Sequence, residues 1–259
     1  MASSLVNEGA SPTTVGTLSA WYDAQTLGSL WQDSARTIPV AATNDPVGAW
    51  DQISPGTPGD RAVLQAGAGF RPFYIAAGYG GGPCVRFDGD DYLSTTAAWV
   101  ASLFAGIDKP FFSLVAVQQS SLTGTQALTS LGRNAANGYR TLRSLAGGPQ
   151  LTSSHDAGGT VSNNALTGAI VVNTPTIIGV RYDGVNAELF NGYNQIYGPA
   201  ASVVSSQVTI DRFGLGALVR STVGNFLIGD LAGAALWTTL TEPQRLDVTA
   251  YFFDRYNNV

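Results

Sequence analysis

Three aspartates stand within four residues at Asp88, Asp90 and Asp91, in the stretch PCVRFDGDDYL. Clustered carboxylates offer two chemistries. Hard anionic oxygens bind calcium together with loop carbonyls, and two carboxylates, one of them kept protonated, cleave glycosidic bonds. The second needs acids held apart and aimed at one bond, whereas adjacent loop aspartates diverge and stay ionised. Asp-Gly-Asp-Asp also makes a plain turn, because aspartate caps turns through its own side chain. The turn reading ranks ahead of calcium, which is the sole cofactor these residues suggest.

Other catalytic side chains are scarce. The glutamates are Glu8, Glu188 and Glu242, without a Glu-x-Asp-x-Glu pattern. His155 is the single histidine, and Ser153, Ser154 and Asp156 lie too near it in sequence to converge on its ring. No Gly-x-Ser-x-Gly elbow presents a nucleophile. Cys84 is alone, which rules out an intrachain disulfide and a two-cysteine metal site. No catalytic residues are assigned, and the chain is read as a non-enzyme.

Binding is better provided for. Sugars stack on aromatic rings and hydrogen-bond to amides, and Trp99, Tyr79 and Tyr139, with Asn134 and Asn137, are the candidates for such a site. A ring in a loop also serves as a lid on a core, so each has a structural reading beside the functional one. Only 12% of residues are charged, against roughly 25% in typical domains. Such a surface suits a sugar-facing or assembly-embedded protein. Net charge is -5 and Lys109 is the only lysine, so phosphate neutralisation and nucleic-acid binding are not expected. The start, MASSLVNEGASP, has neither a basic region nor an apolar core, and Ala157–Val180 is broken by Asn163, Asn164, Asn173 and Pro175. Neither secretion by a leader nor membrane insertion is expected.

Short strands must position these groups. Met1–Gly16 is small and polar and reads as a flexible arm, leaving residues 17–259 as one domain. Thr17–Ala24 alternates, Phe111–Gln119 (FFSLVAVQQ) is a β-rich run, and Asp183-Gly184 and Asn191-Gly192 are hairpin dipeptides between apolar runs. Asp88-Gly89 reads the same way, as the turn of a hairpin between Val85–Phe87 and a strand reaching Leu93. Near the end, Thr241 suits an N-cap and Pro243 the first turn, which predicts a helix over Glu242–Tyr256 with Leu246, Ala250, Phe253 and Asn257 on one face and Val248, Tyr251 and Phe252 widening the apolar stripe. Many short strands and one helix predict an all-β fold, a two-sheet antiparallel jelly-roll β-sandwich with one C-terminal α-helix.

Three stretches together resemble the concanavalin A-like lectin/glucanase superfamily in its laminin-G-like branch: Val85–Leu93, Val180–Gly192 and Phe226–Asn257. The segments LSAWYDA, GAWDQIS (Gly48–Ser54) and RPFY (Arg71–Tyr74) are similar to the opening of such domains in bacterial and phage proteins. One departure is Gly233, where the family often has an acidic residue after its Gly-Asp pair. The resemblance implies the jelly roll and a family habit of calcium binding. With the absent leader, low charge and arm, it favours a non-catalytic virion protein of a tailed phage: a capsid decoration, fibre or tail component. Its partners would be other virion proteins held through Met1–Gly16, copies of itself in a homo-oligomer, and host surface polysaccharide. The alternative is a carbohydrate-binding lectin module of a bacterial surface protein, and third a glycan hydrolase.

Overall fold

The computed structural model describes residues 9–53, 60–95, 98–104, 109–145, 148–154, 160–164, 169–201 and 210–257. They form two antiparallel sheets packed face to face, with a C-terminal helix laid on the outside of one. The predicted sandwich is what the chain builds. A further helical segment, Ala98–Phe104, had no sequence signal strong enough to announce it.

In the first sheet the order is Asn194–Ala201, Asn186–Asn191, Thr176–Tyr182, Phe111–Gln119 and Ile228–Thr239. Beyond it the edge is shared: Cys84–Asp88, flanked by Phe73–Ile75, pairs with residues Ile228 to Leu231, and Thr17–Asp23 pairs with Gly233 to Thr239. Asp183-Gly184 and Asn191-Gly192 turn hairpins as their residue types require, with Gly184 and Gly192 at φ 105° and 57°. The second sheet runs Thr160–Asn164, Gly148–Ser154, Tyr139–Leu145, Thr125–Gly132, Arg212–Leu215, Leu93–Thr95, Val63–Leu64, Ala49–Trp50 and Leu30–Trp31.

FFSLVAVQQ carries apolar residues at both odd and even positions because both its faces are covered. Val115 and Val117 point between the sheets, into a core with Tyr22, Trp50, Leu128 and Phe213. Phe112, Leu114 and Ala116 point outward, into a second core with Trp237 and the helix residues Val248, Phe252 and Tyr256. Each fully buried side chain of this size contributes about 1.5–3 kcal/mol by leaving water.

The helix, Glu242–Asn257, starts as its sequence predicts: Gln244 Oε1 accepts from the Thr241 N–H at 2.9 Å, half of a capping box. Its buried stripe is centred on the flank of the predicted one, at Val248 and Phe252. Arg245, Val248, Thr249, Phe252 and Tyr256 face the sheet, while Leu246 is 40% exposed. A bond from Arg255 to Asp23 Oδ2 (2.5 Å) and one from Tyr256 Oη to Asp23 Oδ1 (3.3 Å) fix the rotation that apolar spacing alone left ambiguous. Gly233 now has a physical reason. A Cβ there would lie 2.1 Å from Tyr256 Oη, so an acidic side chain at that position would evict the ring.

The expected arm is not free where it is described. Val15 is buried in the helix-side core, Ala10 packs against it, and a Cβ on Gly9 would meet the Tyr251 backbone at 2.2 Å. Residues 1–8 lie outside the described residues.

Candidate functional site

The aspartate turn is not the tip of a hairpin. Cys84–Asp88 belongs to the helix-side sheet and Leu93–Thr95 to the other, pairing with Leu215 to Phe213, so Asp88–Asp91 carries the chain across the sandwich. Asp-Gly supplied the bend, with Gly89 at φ 113°, and the sheet partners decided where it leads. Ligand oxygens of Asp88, Asp90 and Asp91 lie within 4.8 Å of one another. The Asp88 N–H donates to Asp91 Oδ2 at 3.1 Å, as the turn reading requires. Burial, then the neighbouring Asp88, pushes the Asp91 carboxyl up to about 7, and a hydrogen bond to Asp88 raises Asp90. The donor set fits a hard cation, which would replace the proton that relieves this crowding.

Beside the turn lie three rings that sequence reading passed over. Phe70 is 6.4 Å from Tyr92, and Tyr92 6.3 Å from Phe226, centroid to centroid, with Phe70 48% exposed. They come from three distant segments, so no local pattern announced them.

The predicted sugar-binding aromatics part company. Tyr79 is 1% exposed and packs 6.5 Å from Tyr256 under the helix, so its ring cannot meet a ligand. Trp99, on the Ala98–Phe104 helix, packs against the inter-sheet core 6.3 Å from Phe213 under the Arg61 guanidinium, as a lid. Tyr139 alone of the three points away from both cores.

Its placement follows from strand parity. On Tyr139–Leu145, Arg140 and Leu142 face the interior, Arg140 reaching Tyr182 Oη at 3.1 Å, so Tyr139, Thr141 and Arg143 face out. On the neighbours, Leu131, Phe213 and Leu215 face in, leaving Ser130, Gly132, Arg212 and Gly214 outward. Tyr139 pairs with Gly132, and Gly132 with Arg212, so these three lie in one row. A hairpin of Leu218–Val219 and Val223–Gly224 crosses this face. Ser130 Oγ donates to Ala217 O (2.8 Å) and accepts from the Val219 N–H (3.2 Å). A Cβ on Gly132 would sit 2.1 Å from Val219 O, so glycine is what lets the hairpin descend.

The hairpin brings Arg220 over Tyr139, 5.6 Å from the ring centroid, where Arg220 Nη1 donates to Ala136 O at 2.5 Å. Arg212 donates to Asp211 Oδ1 (3.0 Å) and to Arg220 O (3.2 Å), and Arg143 Nε to Gln150 Oε1 (3.0 Å). Asn134 and Asn137 are exposed in the turn that supplies Ala136. An aromatic ring, forked cations and amides thus share one outer face. Sequence reading found Tyr139, Asn134 and Asn137 but missed the arginines, whose proximity depends on sheet register.

Acids a hydrolase would use are engaged elsewhere. Glu188 is paired with Arg181, and Glu242 with Arg181 at 2.9 Å and Arg245 at 2.7 Å. Asp230 holds Arg86 through two bonds of 2.7 and 2.8 Å. Cys84 is buried, and its thiol is pushed up to about 12 by burial and by Asp230, so it is no nucleophile. Glu8 and His155 lie outside the described residues.

No protein-family model matches the chain, and no curated protein matches it in sequence. Solved structures do match in shape. The carbohydrate-binding module (CBM40) of a Ruminococcus gnavus IT-sialidase, bound to α2,3-sialyllactose, aligns at 15% identity with a TM-score of 0.52, covering 64% of this chain and 96% of the module. The same module bound to α2,6-sialyllactose gives 0.51 over the same shares, also at 15% identity. The NanB sialidase of Streptococcus pneumoniae (K499G variant) aligns at 12% identity with a TM-score of 0.51, covering 63% of this chain and 27% of the enzyme. At these identities the likeness establishes the antiparallel β-sandwich fold.

Proposed function

We propose that this chain is a non-catalytic carbohydrate-binding module that takes its ligand on the outer face of the second sheet. The observation that carries the reading is Tyr139, turned outward in a row with Arg212 and flanked by Arg220 and the Asn134–Asn137 turn. A ring face with neighbouring fixed donors is the means by which a protein holds a pyranose without cleaving it. The shape shared with sialidase binding modules supports the same reading, and the engagement of Glu188 and Glu242 by arginines weighs against hydrolysis.

The sequence-based preference for a tailed-phage virion component draws no support from the structures named above, a sialidase and a sialidase module. Attachment to surface polysaccharide is the part of it that this proposal keeps. A glycan array probed with purified protein, with and without a calcium chelator, tests the reading. Saturable binding that disappears in Tyr139→Ala, with thermal stability intact, is expected. A folded protein that binds no glycan, or binds equally well without Tyr139, refutes it. Loss of binding with chelator would bring the Asp88–Asp91 turn into the site.

A further inference from the structure

We infer that the glycan taken up at this face is anionic, and that Arg220 and Arg212 hold its charged group. The inference rests on the carbohydrate-binding reading and adds the ligand's chemical class. Elsewhere this acidic chain matches arginines with carboxylates: Arg36 with Asp51, Arg86 with Asp230, Arg181 with Glu188, Arg245 with Glu242, Arg255 with Asp23. Arg71 is committed to three backbone carbonyls, those of Gln65, Ala66 and Gln32. Arg61 donates to the Ser19 carbonyl and covers the Trp99 ring, closing a lid over the inter-sheet core. Arg220 makes the same kinds of contact on the outer face, beside a second guanidinium. It meets the Ala136 carbonyl and the Tyr139 ring, and no carboxylate among the described residues.

Arg212 lies beside it, bonded to the Arg220 carbonyl, with a side chain only 13% exposed. Its one acid, Asp211, is 42% exposed and cannot neutralise two guanidiniums. A guanidinium carries five N–H donors, of which Arg220 uses one here and Arg212 two. Both are held from behind by backbone, so their forks are oriented before a ligand arrives, which favours bidentate capture of a carboxylate or sulfate oxygen pair. The Tyr139 ring beside them offers the sugar its stacking surface.

The test pairs each anionic glycan with its neutral parent: polygalacturonate with its carboxyl-reduced form, dextran sulfate with dextran, and sialyllactose with lactose. Calorimetry at roughly 50 and 300 mM NaCl reads the charge contribution. Binding to a charged member about tenfold or more tighter than to its parent is expected, weakening with salt and falling about tenfold in Arg220→Gln and in Arg212→Lys. The pair that responds tells carboxylate from sulfate. Circular dichroism and melting curves verify that both variants fold, and the two substitutions touch the hairpin differently. Salt-independent binding of a charged glycan and its parent within about twofold overturns the inference and leaves the carbohydrate-binding reading standing. Charge-dependent binding untouched by either variant removes the site from this face. No binding to any probe overturns both.

Discussion

The two outer faces of this sandwich are built on the same alternation and end in opposite states. On the helix-side sheet the outward positions are Phe112, Leu114, Ala116, Ala235 and Trp237, and the helix closes over them with Val248, Phe252 and Tyr256. On the other sheet the outward positions are Ser130, Gly132, Thr141, Arg143, Arg212 and Gly214, crossed by a hairpin of two-residue strands; Ser130, Gly132, Thr141 and Gly214 are buried, while Arg143 and Arg212 stay partly exposed. Large apolar residues at every second position demand a cover. Small, polar and charged ones leave room for something that comes and goes. The sealed face carries large buried rings, and the other is where we propose that a glycan binds.

Breaking the seal should have the largest effect. Phe252→Ala removes a fully buried ring between helix and sheet and is expected to cost about 3–5 kcal/mol, read by urea denaturation. A loss near zero would mean the helix is not what closes that face. Asp23→Asn leaves Arg255 without its buried partner while keeping the side-chain shape. About 2–3 kcal/mol is expected, at the low end of buried pairs because Arg255 is 32% exposed. Glycan binding at the opposite face should survive in the fraction that stays folded.

On the open face the ranking reverses, with function more sensitive than stability. Gly132→Ala drives a methyl against Val219 O and should cost about 1–2 kcal/mol while displacing the hairpin that carries Arg220. Faster hydrogen exchange at the Val219 amide, with weaker glycan binding, is the expected outcome.

The smallest effect belongs to the acidic turn. Because the Asp91 carboxyl sits near 7 in the folded protein and about 3.9 in an unfolded chain, the native state binds the extra proton between these values. Stability contributed there is full at low pH and declines as pH rises through 7. Asp91→Asn should flatten that decline and melt a few degrees above wild type at pH 8, at about 2–4 °C per kcal/mol. Millimolar calcium that raises the melting temperature of wild type but not of Asp91→Asn would assign the turn to a cation.

What could be read from sequence was what neighbours along the chain decide. Asp183-Gly184 and Asn191-Gly192 fixed their hairpins because the turn conformation is local, and Thr241 to Gln244 announced the helix start for the same reason. Asp88-Gly89 carried the same local signal, yet the strands on either side found better partners in opposite sheets. Leu246, Ala250 and Phe253 made a plausible centre for the apolar stripe, and the Asp23 contacts of Arg255 and Tyr256 turned its Val248 and Phe252 flank inward. The same limit separated Tyr139 from Tyr79. Both are tyrosines beside glycine-rich turns, and only the element packed above each decides whether its ring meets solvent. Arg212 and Arg220 come beside Tyr139 through a register pairing across Gly132 that no short window contains.

The shared edge of the helix-side sheet has a consequence in time. Ile228–Thr239 serves as neighbour to Phe111–Gln119, Cys84–Asp88 and Thr17–Asp23 at once, and Thr17 meets Thr239 across 222 residues of sequence. A chain emerging from a ribosome at about 5–20 residues per second therefore carries those strands for roughly 5–45 seconds, longest for Thr17–Asp23, before their common partner exists. During that interval their unpaired edges are open to any other strand nearby. Truncated nascent chains ending before Ile228 should accordingly be bound by chaperones or aggregate, and a release of some thirty more residues should convert them, in one late step, to the protease-resistant form.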